Sequence, residues 1–165
     1  MNQVVSDTGP IISLENLKDG FPFARRLFDQ ILIPESVLQE LADGLGISKQ
    51  KYLETFGVTD LLLPINVEMK ETDVNPSLAP AETEAIALAV RRGLPLLIEE
   101  TFGRKFAKQQ GLLISGVAGL VIKAKRSGLI DEAEATQKLA QLYAGGRINK
   151  KIYSELTNLI KNSAP

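Results

Sequence analysis

The chain has 165 residues, a formal net charge of −1, and neither cysteine nor histidine. Its length suffices for one domain with a real core, and 44% hydrophobic with 24% charged residues is an ordinary globular composition. The two absences exclude disulfides, thiol nucleophiles, thiolate zinc sites, Ser-His-Asp triads and histidine metal ligands. Catalysis is left to carboxylates, lysine, hydroxyls or a hard cation such as Mg²⁺ or Mn²⁺ held by oxygen.

Residues 2–6 read as a strand through Val4 and Val5, with Asp7 at its tip. Gly9-Pro10 breaks that strand, and Ile11, Ile12, Leu14 and Leu17 are spaced for the inward face of a helix over 10–17. A helix over 21–29, a strand at 31–33 and a helix over 35–43 follow, with Pro34 at the last helix's entry and Gly44 and Gly46 at its exit. Residues 48–56 are expected to be helical, 61–67 to form a strand weakened by Pro64, and 70–80 to form a polar loop. A strong helix over 81–92 stops at Gly93. It is followed by a strand at 96–98, the pair Glu99-Glu100, a helix over 102–110 and a strand at 112–114. Helices over 116–127, 131–144 and 149–161 close the chain, separated by Gly128 and Gly145-Gly146.

Strands alternating with helices predict a three-layer α/β/α sandwich around a mostly parallel sheet. No repeat or linker interrupts it, so a single domain over 1–165 is expected. Apolar positions Leu139, Leu142, Ile152, Leu156 and Ile160 of 131–165 are available to pack on the domain, a second copy or a partner. The longest apolar run, near Leu112, is too short to cross a membrane, and Met1 leads straight into a core strand. Both predict a cytoplasmic protein with no membrane partner.

Charge is unevenly placed. Residues 1–90 carry 6 Lys/Arg against 14 Asp/Glu, whereas residues 91–126 carry 8 against 2, so a near-neutral total can hide a basic surface beside an acidic pocket. In a parallel sheet, Asp7 and Glu99-Glu100 end on the same edge. On the 81–92 helix, Glu82 shares a face with Ala85, Ile86 and Ala89 and is expected to point inward, while Glu84 drifts toward Arg91 and the charged side. On the 35–43 helix, Glu40 is the fourth acid, with Glu35 and Asp43 as competitors. Converging carboxylates without a paired arginine repel one another, and a divalent cation relieves the repulsion. Each acid alone has an ordinary explanation as a helix cap, a first-turn acid or a solvated helix residue. Two rival motifs fail. Asp7-Thr8-Gly9 matches the aspartic-protease triplet, which needs an all-β frame. The phosphatase motif of haloacid dehalogenases needs a second Asp where Gly9 stands. No Gly-rich phosphate loop is present.

The gathered motifs resemble the PIN domain, most closely a PIN-like branch of unknown function described as toxin components, and the match runs nearly end to end. Val5-Ser6-Asp7-Thr8-Gly9-Pro10-Ile11-Ile12 resembles its opening, and Ile33-Pro34-Glu35-Ser36-Val37-Leu38-Gln39-Glu40-Leu41 its second motif. Ala81-Glu82-Thr83-Glu84-Ala85-Ile86-Ala87-Leu88-Ala89 resembles its Gly-Glu-x-x-Ala-Ile-x-Leu-Ala helix, and Leu97-Ile98-Glu99-Glu100 with Gly103-Arg104 its fourth motif. Gly111 to Ile130 is similar to its closing segment.

The resemblance implies a Mg²⁺- or Mn²⁺-dependent ribonuclease that cuts single-stranded RNA. Such proteins are often the toxin of a toxin–antitoxin pair, with a small antitoxin protein and a second copy of the chain as partners. Carried over by position, Asp7, Glu40, Glu82 and Glu99 bind metal, with Glu100 as the neighbouring candidate. Ser6 or Thr8 bonds a ligand carboxylate or a metal-bound water. Arg91, Arg92, Arg104, Lys105 and Lys108 are the candidates for guiding the RNA backbone. Two positions depart from the family pattern. Ala81 replaces a glycine, and Glu99 stands where the family has Asp, one methylene longer in a site where Mg²⁺ demands near-ideal geometry. That second departure favours an alternative, a catalytically degenerate PIN-like module that binds protein or RNA without cutting.

Overall fold

The computed structural model describes residues 1–162. Strands β1 (Gln3–Ser6), β2 (Gln30–Pro34), β3 (Leu62–Ile65), β4 (Leu96–Leu97) and β5 (Ile114–Ser115) form one sheet in the order β3-β2-β1-β4-β5. Every neighbouring pair is parallel. Helices α1 (Thr8–Asn16), α2 (Gly20–Arg25), α3 (Glu35–Leu45), α4 (Lys49–Phe56), α5 (Pro80–Arg92), α6 (Thr101–Gln109), α7 (Val117–Arg126), α8 (Glu132–Ala144) and α9 (Lys150–Asn162) cover its two faces. This is the α/β/α sandwich that the alternating pattern predicts.

The pleat sorts the strand side chains into two layers, because successive residues point to opposite faces. Val4, Ile31, Ile33 and Leu97 join Ile11, Phe23, Leu38, Tyr52, Val121 and Leu139 on one face. Val5, Leu32, Leu96 and Ile98 join Ala85, Leu88, Ala89 and Ala107 of α5 and α6 on the other. Strands buried on both faces read as continuous apolar runs, and Ile31-Leu32-Ile33 and Leu96-Leu97-Ile98 are such runs.

Element boundaries shift for local reasons. Helix α1 begins at Thr8, ahead of the expected start, because Pro10 lies in its first turn, where no N–H is needed. Helix α2 stops at Arg25, short of 29. Arg26 and Leu27 bond back three residues to Phe23 and Ala24, and the Asp29 amide is claimed by the Asn2 carbonyl at 2.8 Å to open β2. Strand β5 starts two residues late, because the Leu112 amide still closes the end of α6 on the Ala107 carbonyl. Pro64 is accommodated because β3 lies at the sheet edge. Among the described residues no helix is long and apolar enough to cross a membrane.

From β1 the chain builds outward to β2 and β3, then returns to place β4 and β5 on the other side of β1. The direction reverses between β1 and β4. At such a switch point the connections diverge and leave a crevice at the carboxyl edge of the sheet.

Candidate active site

Four carboxylates from four elements enter that crevice. Asp7 follows β1 directly, with its amide bonded to the Leu97 carbonyl of β4 at 3.0 Å. It stands at the N-cap of α1 but its side chain makes no capping hydrogen bond, which leaves a carboxylate only 6% exposed and aimed at the pocket. Glu40 comes from α3 and accepts a hydrogen bond from Thr8 Oγ1 at 2.6 Å. Glu82 comes from the first turn of α5, and its Oε2 is buried without a hydrogen-bond partner. Glu100 caps α6, accepting from the Gly103 amide at 2.7 Å. These four line a pocket of about 370 Å³, whose remaining wall includes Gly9, Glu99 and Arg147.

Electrostatics mark the same four. Burial pushes the Asp7 carboxyl up to about 7; the Thr8 backbone offsets part of this, and the negative fields of Glu82, Glu40 and Glu100 add to the rise. Glu82 is also raised, first by burial and then by Glu100 and Glu40. Among the described residues no three acids already stand at metal-holding distances from one another. Their chemistry nevertheless suits a hard cation: all-oxygen donors, one buried oxygen without a partner, and an Asp7 carboxyl raised first by burial and further by its acidic neighbours.

Glu99 is built into the wall differently. Its Oε1 accepts from Ser13 Oγ at 2.7 Å and from Arg147 Nη2 at 3.3 Å, and its Oε2 accepts from the Val117 amide at 3.0 Å. Both oxygens are therefore engaged by the protein. Arg147, on the turn between α8 and α9, also donates from Nε to Ser13 Oγ at 2.9 Å and from Nη2 to the Gly9 carbonyl at 3.0 Å. Ser13 and Arg147 escape sequence reading. The first looks like an ordinary helix residue, and the second sits 138 positions from the backbone it grips.

The remaining expected residues lie as follows. Ser6 is buried and donates to the Asp7 carbonyl at 2.8 Å, steadying the strand end. The competing acids are engaged elsewhere: Glu35 pairs with Lys49 at 3.1 Å, Asp43 accepts from Gln39 at 2.8 Å, and Glu84 accepts from Ser36. Arg91 and Arg92 close α5 at its far end, about 14 Å along the helix from Glu82. There Arg91 pairs with Asp73. Arg104 and Lys105 lie near the middle of α6 and Lys108 in its last turn, and none of the three lines the acid pocket. Arg104 donates to the Ile98 carbonyl at 2.8 Å.

A solved PilT N-terminus domain protein from the hyperthermophilic archaeon Sulfolobus solfataricus P2 shares the fold, with a TM-score of 0.51 and 18% identity. The match covers 71% of this chain and 87% of that one. A domain of a functionally unknown protein from Methanocaldococcus jannaschii DSM 2661 aligns with a TM-score of 0.46 and 18% identity, covering 70% of this chain and 91% of that one. No curated protein matches the chain. A family model described as a PIN domain matches residues 3–162. With that match spanning the acid pocket and both layers of helices, the chain belongs to the PIN domain family.

Proposed function

We propose that this protein is a Mg²⁺- or Mn²⁺-dependent endoribonuclease that cuts single-stranded RNA, acting as the toxin of a toxin–antitoxin pair. PIN domains are typically nucleases that bind nucleic acid and use divalent metals. The observation that carries the reading is the buried, unpartnered Glu82 oxygen in a pocket walled by Asp7, Glu40 and Glu100. Nothing in the fold itself needs four carboxylates there, and their proximity opposes folding.

In this reading Asp7, Glu40, Glu82 and Glu100 hold the cation. When bound, it supplies an activated water and neutralises charge on the phosphate. Thr8 fixes one oxygen of Glu40 and the Gly103 amide fixes one of Glu100, so each presents its other oxygen from a set orientation. Glu99, the residue expected as the fourth ligand, instead orients Arg147 and the start of α7.

The test is cleavage of a mixed-sequence single-stranded RNA with Mn²⁺ or with EDTA. Cutting is expected only with the metal and is lost in Asp7→Asn. A second reading, a PIN-like module that binds RNA or protein without cleavage, is favoured by the complete engagement of Glu99. Folded protein that cuts nothing under any metal selects it. The toxin role predicts that expression arrests growth and that a small antitoxin protein, bound to this chain, relieves the arrest. A homodimer is part of the same proposal.

A further inference from the structure

A second pocket, of about 490 Å³, adjoins the acid pocket and shares Glu99 and Arg147 with it as a common wall. Its volume falls within the range of small-ligand sites, roughly 300–1,000 Å³. Arg104 lines it from α6, Ile148 and Ile152 line it from the C-terminal segment, and its floor is bare backbone at Gly116 and Gly119. A Cβ on Gly116 would stand 3.3 Å from Glu99 Cγ and 3.7 Å from Arg104 Nη1, and one on Gly119 would stand 2.8 Å from Ser115 Oγ. Side chains at either position would fill the space the two arginines border.

The two pockets have opposite charge. Five carboxylates against the single guanidinium of Arg147 line the first, whereas two guanidinium groups against the single carboxylate of Glu99 leave the second with an excess positive charge. Among the described residues Arg104 has no carboxylate within ion-pair distance, and its one hydrogen bond, to the Ile98 carbonyl, uses a single N–H. Arg147 commits Nε and Nη2 to Ser13, Gly9 and Glu99, while Nη1 has no partner among the described residues. Those three bonds fix the guanidinium plane. Among the described residues Arg104 keeps Nε and Nη2 free as a fork that can bind a phosphate diester bidentately, and the fixed Arg147 adds the N–H groups of Nη1. In the same lining, Ile148 and the 39% exposed Ile152 offer apolar surface for a sugar or base.

We propose that this second pocket is a nucleotide subsite in which Arg104 and Arg147 bind the backbone phosphate adjoining the one held at the acid pocket. The proposal rests on the nuclease reading for the identity of the ligand, but its binding can be measured without cleavage. The probe is a 5′-phosphorylated uridine dinucleotide, titrated calorimetrically into the whole chain in EDTA. Arg104→Gln and Arg147→Gln are each expected to weaken binding about tenfold, the loss of one charge-assisted contact. Each should also flatten the dependence of log Kd on log salt by about 0.7. Arg104→Lys should keep the salt slope and lose the fork's affinity.

No binding by the wild-type chain at millimolar dinucleotide overturns the subsite. So does binding within twofold of wild type in both glutamine variants. Arg104→Gln alone decides the matter if Arg147→Gln fails to fold, because Arg104 is tied to the fold by one backbone contact. RNA cleavage is scored separately. Cutting with arginine-independent binding overturns the subsite and leaves the nuclease. Arginine-dependent binding without cutting supports the subsite and overturns the nuclease.

Discussion

Asp7 carries a charge that the folded chain resists. It titrates at about 7 when folded, against 3.8 ordinarily, and burial is the main cause. Between those values the folded state holds a proton that the unfolded state has lost, so stability is full below about pH 4 and falls as pH rises through 7, by about 4 kcal/mol. Glu82 adds to the fall in the same direction. Without metal, Asp7→Asn should therefore melt higher than wild type at pH 8, by roughly 8–16 °C, with the gap closing near pH 4. Thermal scans in EDTA at the two pH values check this, and equal melting at pH 8 refutes it. Gly103 makes the second test. A Cβ there would stand 2.4 Å from Glu82 Oε2 and 2.8 Å from Ile98 Cδ1. Gly103→Ala should cost about 1–3 kcal/mol through overpacking. It should also blunt stabilisation by Mn²⁺, both read from urea unfolding with and without the ion. Asp7, Glu40 and Glu82 were legible as residues because each occupies a strand tip or a helix face whose direction follows from local periodicity. Glu99 was legible as a residue at the site but its hydrogen-bond partners were not, because they come from α1, α7 and the turn after α8.

At the scale of elements, apolar runs and glycine stops marked nearly all the helices and strands. What failed was the accounting of single hydrogen bonds at their ends, as at Arg25 and Leu112. The last two helices show the limit most clearly. Their apolar positions were visible, but periodicity does not say what a face meets. Leu139, Leu142 and Ile160 enter the main core, whereas Ile152 stays 39% exposed beside the second pocket. Leu139→Ala should thus destabilise the whole chain by about 2–5 kcal/mol in urea denaturation. A loss under 1 kcal/mol would mean that α8 docks only loosely.

For the molecule as a whole, alternation predicted a parallel sheet, but strand order is set by which edge each crossover returns to, and no local pattern records that. The same topology explains why the basic segment 91–126 is not one basic surface. Helix α5 starts at the edge of the sheet that holds the acids and ends at the opposite edge, so Arg91 and Arg92 are carried away from the pocket. Strand β4 then brings the chain back, and α6 opens beside it with Arg104. If the acid pocket takes up Mn²⁺, the ion at 100 times its Kd should stabilise the fold by about 2.7 kcal/mol. Asp7→Asn should abolish that gain, and calorimetric melting with and without the ion reads both.

The grip of Arg147 on the Gly9 carbonyl joins residues 138 positions apart. Synthesis runs from the amino end, so Asp7 and Glu40 leave the ribosome long before Arg147 does. A nascent chain therefore carries the acids without the wall that closes their pocket. The pocket's wall is complete only once residue 147 has emerged and folded back onto Gly9, so the acids spend the earlier part of synthesis unenclosed.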